Sequence, residues 1–556
     1  MCEAPVIRSV LHLLLLLTFA GLPLPSRAAE WGALTQPIGT RNTPFLVDPA
    51  LLNAAYAAGK GPWALTTSVT SITTTTPQFF IRFYNPSASS NASGQEGSWV
   101  MRISSVRGLS AQKIRDLFAL PNTPSMMTLG LSVTGESFYT GIAGPIEGWG
   151  DGGGQQSQAN GGPYTIFFNA QPVMDAALSY QSVADTDNGR KIGAYLDSSI
   201  PAAYSDMETV YNTLDVLCNP ASRDLFNSAL GTLTAQRFDN LASSAHYAVE
   251  LQNQATDDRI DRFVVNNATP GFWIKAARSF QHSPDSGYDG DINAMILGFD
   301  RKSSDRTLSG ISLAWMHGTV YWADNGGQAV ADYYRAEAYS AVLIDRAFLQ
   351  GEVSVGSVAE ETSRNIAIGT LYLPSLHGPL LSPLSGIART ANADYKGWNA
   401  DIGLRAGVLV NAGMLNIRPS FGFGWLYQSR NSFTETGAES LNLTVAAAHA
   451  ATLHGRADVR FERAILLDGQ KTITPYVVIG WAFAKRLDAQ EVTASMNGRS
   501  DFFTTSAAIG TTQMFTGRAG IETALSREFF ISAEGFRQAQ SGNRQSGFAV
   551  AMNYLF

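Results

Sequence analysis

The stretch Phe548-Ala549-Val550-Ala551-Met552-Asn553-Tyr554-Leu555-Phe556 decides the fold. Successive side chains of a strand point to opposite faces, so Phe548, Val550, Met552, Tyr554 and Phe556 form one apolar stripe. The other face carries Gly547, Ala549, Ala551 and Asn553, with Leu555 as the exception. That pattern suits the closing strand of a transmembrane β-barrel, which needs lipid on one side, a wet lumen on the other and aromatics near the interface. Taken alone, it suits a buried edge strand of a soluble sheet equally well.

The alternation recurs upstream. Leu415, Ile417, Pro419, Phe421, Phe423, Trp425 and Tyr427 share a face opposite Asn416, Arg418, Ser420, Gly422 and Gly424. Leu453, Gly455, Ala457, Val459 and Phe461 stand opposite His454, Arg456, Asp458, Arg460 and Glu462, and Gly517, Ala519, Ile521 and Leu525 opposite Arg518, Gly520 and Glu522. In a soluble sandwich each apolar face needs a second apolar sheet to cover it, and this chain lacks one. A barrel removes the need. Backbone groups in hydrocarbon must pair within the protein, so a spanning sheet closes on itself. The reading is an all-β-dominated chain with about twelve antiparallel strands from Gly271 to Phe556, an even count as bacterial barrels require. Arg418, Arg456, Asp458, Arg460, Glu462, Arg518 and Glu522 are its expected lumen-lining residues.

The amino end supplies an address. Arg8, an apolar run from Val10 to Ala20, the breakers Gly21, Pro23 and Pro25, and Ser26-Arg27-Ala28 have the three parts of a secretory signal peptide, with cleavage expected after Ala28. The run is short for a membrane-spanning helix. Removal of Cys2 with the signal leaves Cys218 alone, so no intramolecular disulfide can form. With 52 Gly, 29 Phe, 19 Tyr and 15% charged residues, the composition is that of a β-rich exported chain, and a net charge of -7 gives no reason to expect nucleic acid.

Four segments follow: a signal at 1–28, a small β-rich domain at 29–205, a helical region at 206–267 and the strand-rich region 268–556. Asp224, Leu225, Phe226, Leu230, Leu233, Phe238, Leu241, Ala245, Ala248 and Leu251 recur at three- and four-residue steps, the period of a helix. From Glu250 to Arg262 that helix is polar on nearly every side, which suits a solvated linker or a wet channel. In the channel, Asp257, Asp258, Asp261, Arg259 and Arg262 would make charge-assisted hydrogen bonds to Arg456, Arg460, Glu462, Arg518 and Glu522.

The polar helix, Gly271-Phe272-Trp273, Gly298-Phe299-Asp300, Tyr333-Tyr334, Arg364-Asn365-Ile366, Arg418-Pro419, Leu441-Asn442-Leu443-Thr444-Val445 and the terminal Phe556, in this order and spacing, resemble the translocator domain of a monomeric (type V) autotransporter. The resemblance covers the chain from roughly residue 225 onward. It implies an outer-membrane barrel, a helix left in the pore and an N-terminal passenger displayed at the cell surface. By the same resemblance Tyr554 and Phe556 present a folding signal to the β-barrel assembly machinery. Asn266-Asn267 is similar to the paired-Asn cleavage site of some autotransporters, although in those the pair sits within the helix.

The passenger is informative in what it lacks. No histidine occurs between Glu30 and Ala245, and nucleophilic triads need an imidazole to relay the proton. Lipase and serine-protease passengers are thereby disfavoured, and no histidine-based metal site is available. One stretch, Phe118-Ala119-Leu120-Pro121 followed by Gly141-Ile142-Ala143-Gly144-Pro145 and Gly152-Gly153-Gly154-Gln155-Gln156, resembles the NAD glycohydrolases of the necrotizing-toxin type, whose Gly-Gly-Gly-x-Gln element carries an active-site glutamine. The resemblance implies Gln156 and Arg82, of Arg82-Phe83, as catalytic residues, with the glycines letting backbone approach a dinucleotide. Asn85 to Gly94 is then an insertion, and Ser157 stands where the family has an aromatic. The run Ser68 to Thr76 reads as an edge strand. Three readings stay open: a passenger that binds an extracellular ligand with no cofactor, an NAD-cleaving effector, and a plain outer-membrane pore with a cap.

Overall fold

The computed structural model describes residues 45–555 apart from 75–77, 162–164, 174–176, 203–204, 267–269, 370, 374–381, 385, 468–470, 489–490, 507–511, 527 and 541–542. The signal segment, Asn267 and Phe556 lie outside the described residues. The chain divides into two compact units, one holding residues up to 177 with 201–212 and 369–386, the other holding 178–200, 213–368 and 387–556.

The first unit is built on an antiparallel sheet of eight strands: β1 (Phe45–Val47), β2 (Val69–Thr73), β3 (Gln78–Tyr84), β4 (Trp99–Met101), β5 (Met126–Ser132), β6 (Ser137–Ile142), β7 (Gln155–Gly161) and β8 (Ile166–Pro172). Their order is β1-β2-β6-β7-β4-β3-β5-β8. Both faces are covered. Ile72, Phe80, Val100 and Phe138 cluster on one. Ile81, aligned with Met101 and Leu129, faces the other way, and all three are buried. Helix α1 (Ala111–Leu117) starts on Ser110, whose side chain accepts from Lys113 N, a side-chain cap of the first turn. The Ser68–Thr76 segment is corrected here: β2 pairs with β6 and, on its other side, with β1, so the edge falls to Phe45–Val47.

In the second unit twelve long strands close into a barrel. They are β9 (Gly271–Ser283), β10 (Tyr288–Ser304), β11 (Thr307–Trp322), β12 (Gly327–Ile344), β13 (Ala347–Ile368), β14 (Ile387–Val408), β15 (Leu415–Arg430), β16 (Ala448–Glu462), β17 (Thr472–Arg486), β18 (Thr512–Ala524), β19 (Phe529–Ala539) and β20 (Arg544–Leu555). Each pairs with its neighbour in sequence, and β20 pairs with β9 from Leu555↔Gly271 to Arg544↔His282, which leaves no edge. Short strands Val410–Ala412 and Ile465–Leu466 extend two hairpins.

The alternation puts apolar residues outside. On β20, Phe548, Val550, Met552 and Tyr554 are exposed, and Gln545, Ala549, Asn553 and Leu555 are buried. Phe421, Phe423 and Trp425 on β15 are exposed, whereas Arg418 is buried. In water this would be an inside-out sheet; in lipid it is the stable arrangement. At one inward position the packing forbids any side chain: a Cβ on Gly298 would lie 2.0 Å from the Trp273 ring. Trp273 uses the space to donate its indole N–H to Tyr339 Oη at 2.9 Å.

Before the barrel come α2 (Asp187–Asp197), α3 (Asp206–Leu217), α4 (Arg223–Leu233) and α5 (Asn240–Asn266). The continuous helical period read from Asp224 to Leu251 is broken in the structure. Thr234 turns extended at the end of α4, and a 3-10 turn at Gln236–Asp239 precedes α5. The apolar residues keep helical spacing because both helices bury a face, with Leu230, Leu233, Ala248 and Leu251 all buried.

Candidate functional site

The site is the lumen of the barrel and the helix in it. The loops joining β9 to β10, β11 to β12, β13 to β14, β15 to β16, β17 to β18 and β19 to β20 share one end, and three of them are long. The opposite end carries two-residue turns at 305–306 and 345–346 and other short connections. Outer-membrane barrels keep short turns in the periplasm and longer loops outside. Helix α5 enters at the long-loop end, where the Gln428 amide donates to Ala242 O. It runs to the other end, where Arg262 reaches Glu522. The chain before α5 therefore leaves the barrel on the extracellular side.

The lower half of α5 is held by charge. Arg259 donates two bonds of 2.6 Å to Asp300, both residues fully buried. Asp258 lies 2.6 Å from Lys275 and 3.0 Å from Arg518, and Lys275 in turn lies 2.6 Å from Glu534. Asp261 meets Arg418 at 2.7 Å and Arg405 at 2.9 Å. Asp257 pairs with Arg456 and accepts from Gln350 Nε2 at 2.6 Å. Arg262 donates to Glu522 at 2.5 Å and to Ser532 at 3.1 Å. Higher up the helix contributes neutral polar donors: Thr256 to Glu337 at 2.8 Å, Gln252 to Ser312 at 2.9 Å and Asn253 to Asp401 at 3.0 Å. The top of α5 packs Ala245, Tyr247 and Ala248 against the wall.

The structure places Arg418, Arg456, Arg518 and Glu522 against α5, while Arg460 donates mainly to Glu462 at 2.7 Å, and Asp458 lies 3.3 Å from Arg456. Lys275, Asp300, Arg405, Glu534 and Asp401 make contacts of the same kind and escaped sequence reading. Each sits at an inward position of its strand, so the parity of the neighbouring apolar residues carried the information. Paired charges with saturated hydrogen bonds can survive burial; a single one removed leaves its partner uncompensated. The arrangement holds α5 inside the lumen through charge pairs along its lower half.

Arg82 and Gln156 are not brought together. Ile81 pairs with Met101, and Met101 with Gln156, so Gln156 shares the face of Ile81 and Arg82 points to the opposite one. Arg82 donates to Gly94 O at 3.2 Å and Trp99 O at 3.1 Å, and burial lowers its pKa. The Gln156 amide is spent on Pro62 O at 2.9 Å. The glycines meant to approach a dinucleotide meet their own chain. Gly152 N donates to Asp116 O, Gly153 N to Ala143 O and Gly154 N to Leu117 O, and a Cβ on Gly152 would fall 2.4 Å from Ala143 O. Elsewhere in this unit, Glu136 accepts from Thr165 N and Oγ1, yet burial dominates and pushes its pKa up to about 7.

A closed antiparallel barrel with an apolar exterior, a charged lumen and a helix through it defines an outer-membrane protein. Among the described residues no helix is long and apolar enough to cross a membrane, so strands do the crossing. Residues 272–535 match the profile of the autotransporter beta-domain. This chain's barrel sits in the outer membrane and its passenger is displayed at the surface. Solved structures with a similar fold include the translocator domain of the autotransporter NalP from Neisseria meningitidis, at 18% identity and TM-score 0.43, covering 57% of this chain and 98% of that one. The beta domain of the Bordetella autotransporter BrkA is 16% identical at TM-score 0.39, covering 52% and 100%. The transport unit of AIDA-I from Escherichia coli is 15% identical at TM-score 0.33, covering 51% and 90%. A comparison with curated proteins returns no match.

Proposed function

We propose that the passenger is a binding module for an extracellular ligand and that it stays tethered to its barrel. The observation that carries the first part is the placement of Arg82 and Gln156 on opposite faces of one sheet, with the Gln156 amide committed to Pro62 O. Together with a stretch from Glu30 to Ala245 free of histidine, it leaves display and recognition as the supported role. Tethering is supported by the contacts of α2 with the extracellular loops. The loop strands Phe433–Thr434, Leu443–Val445, Glu491–Met496 and Phe503–Ser506 form a four-stranded sheet. The Tyr195 ring of α2 lies 4.8 Å from that of Phe503, tilted by 55°, and its hydroxyl accepts from Met496 N at 2.9 Å, and Asn188 pairs with the Ser506 backbone through both its oxygen and its nitrogen. Arg364 ties α4 to the same loops, reaching Glu435, Leu441 O and Thr232 O.

The assembly partner follows from the closing strand. Its outward row Phe548, Val550, Met552 and Tyr554 is the surface that the β-barrel assembly machinery would recognise. The test of the binding role uses intact cells that display the full chain, laid on immobilised extracellular-matrix proteins and glycans. They should be retained above cells carrying an in-frame deletion of residues 45–177. Equal retention contradicts the binding role, and release of nicotinamide from NAD by the purified chain would replace it with the enzymatic one.

A further inference from the structure

The apolar band around the barrel is lopsided. On β14 the outward apolar run is Trp398–Val408 and on β17 Ile473–Phe483, eleven residues each, and on β15 it is Leu415–Tyr427, thirteen. All begin at the short-turn end. From the same end, the outward run on β20 is Tyr554 to Phe548 and on β19 Phe529 to Gly535, seven residues each. With about 3.4 Å of rise per residue and a tilt of about 40°, the tall wall spans roughly 25 Å and the short one roughly 15 Å. A bilayer of uniform thickness cannot meet both, and mismatch of this kind is relieved by local thinning.

What stands above the short runs is cationic. The next outward residue on β19 is Arg537, and on β20 Ser546 is followed by Arg544. Arg537 pairs in register with Ser546, and Arg544 with His282 of β9. Among the described residues neither Arg537 nor Arg544 has an acidic partner. On β9 the outward run is interrupted by Arg278, whose guanidinium lies 4.9 Å over the Phe280 ring and donates to Asp291 at 3.0 Å. His282 beside them contacts Asp289 at 2.6 Å. Two guanidiniums without a carboxylate, flanked by a hydroxyl and a third arginine, thus face lipid at the extracellular edge of a thinned band.

We propose that the β19–β20–β9 wall is a binding site for the phosphorylated headgroup of an outer-leaflet glycolipid, with Arg537 and Arg544 as its phosphate ligands and Arg278 and Ser546 at its margin. Guanidinium forks match phosphate oxygens with two parallel hydrogen bonds. Long side chains with apolar stems can rise along the wall to reach the headgroup. The site is on the barrel exterior and is independent of what the passenger binds.

Native mass spectrometry of the purified full chain tests it, with diphosphoryl lipid A, the same lipid stripped of phosphate and inorganic phosphate as the three probes. The wild type should retain the diphosphoryl lipid about ten-fold better than the stripped one. Arg537→Ala with Arg544→Ala should abolish that preference, and Lys396→Ala with Lys485→Ala on the tall wall should preserve it. Millimolar inorganic phosphate should leave the lipid bound. Equal retention of the two lipids by the wild type overturns the proposal without any variant, so it is decided even if the double variant fails to assemble. An unchanged preference in a folded double variant, or displacement by inorganic phosphate, overturns it as well.

Discussion

The barrel and the passenger are both antiparallel sheets, yet they solve opposite problems. The barrel strands turn most of their large apolar residues outward and most of their charges inward, as β15 does with Trp425 outside and Arg418 within. The passenger sheet covers both faces, with Phe80 and Ile81 adjacent in sequence and both buried. The period of a pattern therefore reports the strand, and only the chemistry of the hidden face reports the solvent. A hidden face of Arg, Asp and Glu implies lipid outside; a hidden face of Phe, Ile and Val on both sides implies water.

The contrast breaks most visibly if the buried charges can be removed. Arg259→Ala leaves Asp300 uncompensated in the lumen and should cost about 3–5 kcal/mol, read as a lower denaturant midpoint for loss of the heat-modifiable form. A removable Arg259 would mean that α5 is not locked there. A charge on the outside should be nearly as damaging. Ile402→Arg, at an outward position in the middle of the β14 run, should cost about 2–4 kcal/mol in a bilayer, and no loss would argue that this face meets water.

The passenger sharpens the comparison through pH. Glu136, with a pKa raised from 4.5 to about 7 by burial, binds its proton more tightly folded than unfolded. Its contribution is fully present below pH 4.5 and is lost as pH rises through about 7. Stability of the passenger should fall by about 2 kcal/mol across that interval, and Glu136→Gln should flatten the profile while leaving the barrel unchanged. The smallest effect belongs to Gln156→Ala, which removes one hydrogen bond and should lower passenger stability by about 1 kcal/mol. A much larger effect confined to ligand binding would give Gln156 a functional role after all.

Parity made the barrel legible. Once Phe548, Phe421 and Leu453 were set outside, Arg418, Arg456 and Glu522 had to face in. Lys275 and Glu534 obeyed the same rule but lay on strands where outward Arg278 and Ala533 interrupt the large apolar series, and Asp300 lay on β10, whose outward row carries Asp289, Asp291 and Arg301, so their faces were harder to read. The break at Thr234 was hidden because two short helices in succession keep nearly the same period as one. The passenger face of Arg82 was illegible for a deeper reason: with both sides of β3 buried, hydrophobicity does not distinguish them, and only the pairing of Ile81 with Met101 does.

The most direct measurement is protease treatment of intact cells displaying the full chain, followed by electrophoresis of the membrane fraction with and without boiling. The passenger should be cut away while a carboxy-terminal fragment survives and runs faster unboiled than boiled. A fragment of equal mobility in both lanes, or a passenger cleaved only after lysis, would contradict a closed outer-membrane barrel with its front portion outside.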